Sequence, residues 1–126
     1  MSEKEYSLTE LNKPTDWKNL TGMAKKHVPI IEAPDKVEAN EQFIVKVKIG
    51  GIDEVEHPNT LSHWINWVAI YAGERLISKV EFGAELTDKY VVSLNVTLNE
   101  STTLRAQEFC NLHGVWEGKP KQVTVE

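Results

Sequence analysis

The stretch Gln42–Gly50, QFIVKVKIG, alternates: Phe43, Val45, Val47 and Ile49 fall on one side, Ile44, Lys46 and Lys48 on the other. A period of two over this length is that of a half-buried β-strand, and Gly50-Gly51 supplies the turn that ends it. The same pattern recurs in KYVVSLNVTL, Lys89–Leu98, which predicts Val92, Leu94, Val96 and Leu98 facing inward. HWINWVAIYAGERLISKVEF, His63–Phe82, reads as a hairpin: a strand through Tyr71, a turn at AGER, and a second strand with Leu76, Ser78, Val80 and Phe82 on one side. VPIIEA, TTLRAQEF and KQVTVE supply further candidates. About seven short strands separated by turn residues, with no long helical pattern, predict an all-β fold: an immunoglobulin-like antiparallel β-sandwich.

A chain of 126 residues is long enough for one domain with a core of its own. Residues 1–24 are polar, with a weak helical signal at SLTELNK and a stop at Pro14. They are expected to form an N-terminal extension packing on a sandwich domain of residues 25–126. The net charge of -5 argues against nucleic acid and against anionic membrane surfaces. The first residues lack the apolar segment of a secretory signal, and no apolar run approaches the roughly 20 residues of a membrane helix. With a single cysteine there is no internal disulfide, and a cytoplasmic location is the expectation.

The chemistry-bearing residues are few. There are four histidines, His27, His57, His63 and His113, and one cysteine, Cys110. A single histidine in such a fold is more often a surface or satisfied core residue than a ligand. Here each one lies at a break between apolar segments, where loops gather at the ends of a sandwich. His27 sits in KKHVP, His57 and His63 bracket HPNTLSH, and His113 follows Cys110 in CNLHG, where Gly114 permits a tight turn. Four imidazoles and one thiolate can form a single metal cluster.

The choice of metal follows from the donor set. Structural zinc takes four ligands in a closed tetrahedron, commonly several thiolates, and a zinc-stabilised binding module fits five candidates with one sulfur poorly. A blue-copper-like electron carrier needs two histidines, one cysteine and usually a methionine after the last histidine. Met1 and Met23 are the only methionines and neither lies there, and two histidines would be left over. Four imidazoles with one thiolate suit a six-coordinate metal such as iron, with one position open for chemistry.

KHVP, HPNT followed by His63, and CNLHGVWE together resemble the iron centre of the superoxide reductases, the neelaredoxin and desulfoferrodoxin group. The motif blocks run from His27 to Glu117. The resemblance implies a mononuclear non-haem iron held by His27, His57, His63 and His113 in the equatorial plane and by Cys110 on the axis. It implies one-electron reduction of superoxide to hydrogen peroxide, with a small electron donor such as rubredoxin restoring the ferrous state. Backbone N–H groups of Leu112 and His113 are expected to hydrogen-bond the sulfur and moderate its donation. Lys26 corresponds to the lysine that places positive charge beside the open position, the catalytic role the resemblance implies for it; the plainer reading is a solvated loop lysine. The family often carries a glutamate just before that lysine, as a ligand of the oxidised iron, and this chain has Lys25 there. Trp64 stands after His63 where a second histidine is common. The single cysteine excludes the family's four-cysteine second iron module, so the resemblance is to the one-iron class, whose members are often homotetramers; a homo-oligomer is therefore implied.

Overall fold

The computed structural model describes residues 6–126, and residues 1–5 of the expected N-terminal extension lie outside the described residues. One short helix, α1 (Gly22–His27), precedes nine strands: β1 (Pro29–Glu32), β2 (Lys36–Val37), β3 (Phe43–Ile49), β4 (Ile65–Ala72), β5 (Arg75–Glu81), β6 (Val91–Val96), β7 (Thr102–Cys110), β8 (Gly114–Glu117) and β9 (Lys121–Val125). They form a three-stranded sheet in the order β1-β3-β6 and a six-stranded sheet in the order β2-β9-β7-β4-β5, with β8 paired to β7. All pairings are antiparallel except β2 with β9. The β-sandwich expected from the alternating runs is therefore present, with two strands more than the sequence pattern predicts. No described helix is long and apolar enough to cross a membrane.

The alternation in β3 is physical. Val45, Val47 and Ile49 are buried while Ile44 and Lys46 are exposed. β6 pairs with β3 in register, Val45 opposite Leu94 and Val47 opposite Val92, so its inward residues continue the same apolar face. Across the sandwich that face meets Val68 and Ile70 of β4, Leu104 and Ala106 of β7 and Val123 of β9. Removing each of these large aliphatic side chains from water contributes roughly 1.5–3 kcal/mol.

β5 departs from the expected face. A register shift between Ile70 and Tyr71 pairs Tyr71 with Leu76 while Ile70 pairs with Ser78. The bulge turns Leu76 outward, 56 % exposed, and leaves Val80 and Phe82 against the core.

The helical signal at SLTELNK is not realised. Residues 8–10 form bends held by side-chain contacts: the Ser7 hydroxyl accepts the N–H groups of Thr9 and Glu10, and Asn12 Oδ1 accepts that of Ser7. Asn12 bonds along β8, its N–H and Nδ2 both reaching the Val115 carbonyl at 2.9 Å and its carbonyl accepting from the Glu117 N–H. Beneath it the buried Glu117 carboxylate accepts from Lys13, Arg105 and Gln107 at 2.8–3.4 Å. Tyr6, Trp17, Leu20 and Met23 complete a second apolar cluster around Ala24, Val28 and Trp116.

Candidate metal centre

All four histidines and the cysteine gather at one end of the sandwich, where β1 begins, β3 ends, β4 begins and β7 ends. Each reaches that end by a different local device.

His27 closes α1. The Thr21 hydroxyl caps the helix by accepting the Ala24 N–H at 3.1 Å. One turn is enough to put the His27 ring within 2.7 Å of the Met23 carbonyl through Nδ1. A protonated Nδ1 donates there, so Nε2 carries the free lone pair. His57 repeats the arrangement with its neighbour: Nδ1 lies 2.6 Å from the Pro58 carbonyl and Nε2 lies 3.3 Å from Cys110 Sγ. The Tyr90 hydroxyl also donates to the Pro58 carbonyl at 3.0 Å and accepts the Ile65 N–H at 3.2 Å, fixing the loop to the first residue of β4. His63 sits in a tight bridge with Thr60, whose hydroxyl accepts the His63 N–H at 3.0 Å.

Cys110 and His113 belong to the β7–β8 hairpin. Cys110 pairs with Gly114, leaving Asn111, Leu112 and His113 as a three-residue loop. Gly114 has φ +84, and a Cβ there would come within 2.6 Å of the Ser7 carbonyl, so the turn requires glycine both for its backbone and for its packing. The backbone N–H groups of Leu112 and His113 favour the thiolate form of Cys110 against the effect of burial, in the sense the CNLHG turn predicts.

Donor atoms from His27, His57, His63 and Cys110 all lie within 4.8 Å of one another. His113 joins them through Nδ1, at 3.2 Å from His27 Nε2 and 3.8 Å from Cys110 Sγ. His27, His57 and Cys110 are buried. His63 Nε2 is buried with no hydrogen-bond partner among the described residues, a cost of about 1–3 kcal/mol that a bound cation would remove.

The electrostatics suit the same conclusion. Burial, assisted by neighbouring rings, pushes His27 down to about 4 and His57 down to about 3, and His63 and His113 are lowered for the same first reason. All four imidazoles are thus neutral lone-pair donors at neutral pH. Burial pushes the Cys110 thiol up to about 11, opposed by its two backbone donors. A buried thiol of that kind becomes a thiolate when a cation compensates it. The donor set therefore fits a metal, and three converging histidines with the cysteine, and His113 beside His27 and Cys110, exceed what a two-histidine copper site uses.

Lys26 is half-buried, and its charge bears on all four imidazoles and on Cys110. Its carbonyl packs against Gly50, where a Cβ would approach to 2.5 Å, and the Gly50 N–H bonds to Val28. Lys25 is ion-paired with Asp53 at 2.9 Å. Glu56, near in sequence to His57, is paired with Lys48 and Lys89.

Sequence reasoning passed over Asn111. Its Oδ1 accepts the Trp64 N–H at 2.9 Å and its Nδ2 donates to the Ser62 carbonyl at 2.8 Å, stapling the Cys110–His113 turn to the His63 loop. An asparagine inside the Cys110–His113 turn was the only sequence signal of the Asn111 staple. Trp116 touches two of the candidate donor segments: its indole stacks on His27 at 5.2 Å and its Nε1 donates to the His113 carbonyl at 3.0 Å.

Residues 19–119 match the desulfoferrodoxin family model. The superoxide reductase of Thermococcus kodakarensis is 34% identical, covering 94% of this chain and 99% of that protein. The neelaredoxin of Megalodesulfovibrio gigas is 31% identical, covering 87% of this chain and 92% of its own length. The solved structure of the superoxide reductase (neelaredoxin) from Ignicoccus hospitalis superposes with a TM-score of 0.77 at 31% identity, over 92% of this chain and 95% of that one.

Proposed function

This chain belongs to the desulfoferrodoxin family, and from that premise we infer that it is a superoxide reductase working through an iron centre at the end of its sandwich. The observation that carries the reading is the convergence of His27, His57, His63 and Cys110 donors within 4.8 Å. His27, His57, His63 and Cys110, with His113 at the edge of the group, are the proposed ligands. Bound there, iron supplies the one-electron couple and an open coordination position.

The protein's own groups do the rest. The Met23 and Pro58 carbonyls orient the His27 and His57 rings so that their lone pairs face inward. N–H groups at Leu112 and His113 draw charge from the sulfur and so temper its donation. Lys26 is the proposed catalytic cation: superoxide is an anion approaching a protein of net charge -5, and a local ammonium raises its encounter rate and can relay a proton to the reduced product. The product is hydrogen peroxide, formed from superoxide with one electron and two protons.

The electron donor is proposed to be a small carrier such as rubredoxin, and the functional unit a homo-oligomer of one-iron chains in the cytoplasm. Residues 25–126 are the proposed iron-binding domain and residues 1–24 an extension packed on it. Metal content and visible spectroscopy test the reading. One iron per chain and a broad red thiolate-to-ferric band are expected, and Cys110→Ser should lose both the band and superoxide reduction. A Cys110→Ser protein that keeps both would sink the assignment, as would full occupancy by zinc or copper in protein prepared to retain iron.

A further inference from the structure

Two aromatic side chains touch two of the proposed ligands from the side of the N-terminal segment. Trp116 stacks on His27, centroids 5.2 Å apart and planes within 19°. Tyr6 meets His113 edge-on at 4.7 Å. Both line one groove of about 550 Å3, with Trp116 the one residue of β8 in its lining and most of the rest drawn from residues 6–21. Trp116 is only 3 % exposed, so its ring fills the space between the groove and the imidazole. Its Nε1 also holds the His113 carbonyl, so one side chain contacts both ligand-bearing segments.

We propose that this face, through Trp116 with Tyr6 beside it, is the entry path for the electron that restores the ferrous centre. The proposal rests on the superoxide-reductase reading, which requires one electron per turnover from a one-electron carrier protein. Tunnelling weakens steeply with distance and with empty gaps, and a packed aromatic against a ligand ring closes the gap. The carrier is oxidised by one electron and the iron is reduced by one. No proton moves, and no radical need rest on the ring. Substrate and reductant would then use different faces, superoxide beside Lys26 and the carrier at the aromatic groove.

The test uses the iron-loaded full chain and follows bleaching of the ferric band in a stopped-flow instrument, without superoxide. Reduced rubredoxin serves as the protein donor and ascorbate as a small reductant able to reach the open position directly. The quantity read is the ratio of the two rates, together with band position, iron content and reduction potential. Trp116→Leu should lower the ratio about tenfold with band and potential unmoved, and Trp116→Phe should keep it within about twofold. Tyr6→Leu should lower it less. An unchanged ratio in Trp116→Leu overturns the proposal. So does a shifted band, lost iron or equal slowing by both donors, because each makes Trp116 a packing residue only. Should Trp116→Leu not fold, an unchanged ratio in Tyr6→Leu together with Trp116→Phe equally overturns it. Any of these outcomes leaves the reductase reading standing, which fails only if the unsubstituted protein lacks iron or does not consume superoxide.

Discussion

The ammonium of Lys25 lies 2.9 Å from the Asp53 carboxylate, in the loop that follows the Gly50-Gly51 turn. Lys25 stands where the family often has a ligand glutamate, and the pair occupies it with a partner of its own. Glu56, next to His57 in sequence, is held by Lys48 and Lys89. With Asp53 and Glu56 both held by lysines, the oxidised iron should be open to small anions. Azide is expected to shift the ferric band of the unsubstituted protein, and Lys25→Glu should weaken that binding about tenfold, a difference of about 1.4 kcal/mol. Equal azide affinity in the two proteins would show that residue 25 does not reach the metal. Asp53→Ala should change stability by less than about 1 kcal/mol, since the pair is partly solvated.

Asn111 makes two hydrogen bonds that join the Cys110–His113 turn to the His63 loop. Asn111→Ala removes both, and the Trp64 N–H is left half-buried without its acceptor. We expect a loss of about 1–3 kcal/mol in unfolding free energy and a fall of about 10–100-fold in metal affinity. Competition with a chelator measures the second quantity. Unchanged affinity would mean that the turn is rigid without its staple.

The readable part of this fold is the part with one wet face. β3 and β6 have a core side and a solvent side, so burial writes itself into the sequence with a period of two. β4 lies between β5 and β7 and has buried residues on both faces, Val68, Ala69 and Ile70 in succession, so its alternation is blurred. β2 has two residues and β8 four, below the length at which a period can be seen. The same holds for the six-residue α1, which is stabilised by the Thr21 cap and by packing of Ala24 on Trp116. At the site, the candidate donors were legible because the donor types are scarce and all lie at breaks. The contacts that aim the candidate donors come from Met23, Pro58 and Asn111, and all five of the bonds have a backbone atom at one end, which carries no sequence signal.

Acid should unfold the iron-free protein early. His27 and His57 are held near 4 and 3, below the ordinary 6.5, chiefly by burial. Between those values the unfolded chain binds more protons than the folded one, so stability is full above about pH 6.5 and falls as the pH drops toward about 4. Glu117 acts in the same direction at lower pH: burial opposes ionisation, but Arg105, Gln107 and Lys13 bring it down to about 2, so its contribution is lost below the ordinary 4.5. The thermal midpoint of the iron-free protein should therefore decline in two stages, and His57→Gln should flatten the first. A midpoint independent of pH between 6.5 and 4 would contradict the burial of neutral rings.

Glu108 has the opposite sign. It lies two residues before Cys110 on the inward face of β7, fully buried, and neither carboxyl oxygen has a partner among the described residues. Burial raises its pKa well above the ordinary value, so the folded protein keeps it protonated where the unfolded chain ionises it. Its contribution to stability is thus greatest below about pH 4.5 and lost as the pH rises. A buried group without hydrogen bonds costs about 1–3 kcal/mol in addition. Glu108→Met, close in volume and apolar, should therefore stabilise the iron-free protein at pH 7 by at least that amount, and by less at pH 4. Denaturant titrations at the two pH values measure it. If Glu108→Met destabilises the protein at pH 7, the carboxyl has a partner that its buried surroundings do not reveal, and the side chain is supporting the Cys110 strand rather than opposing it.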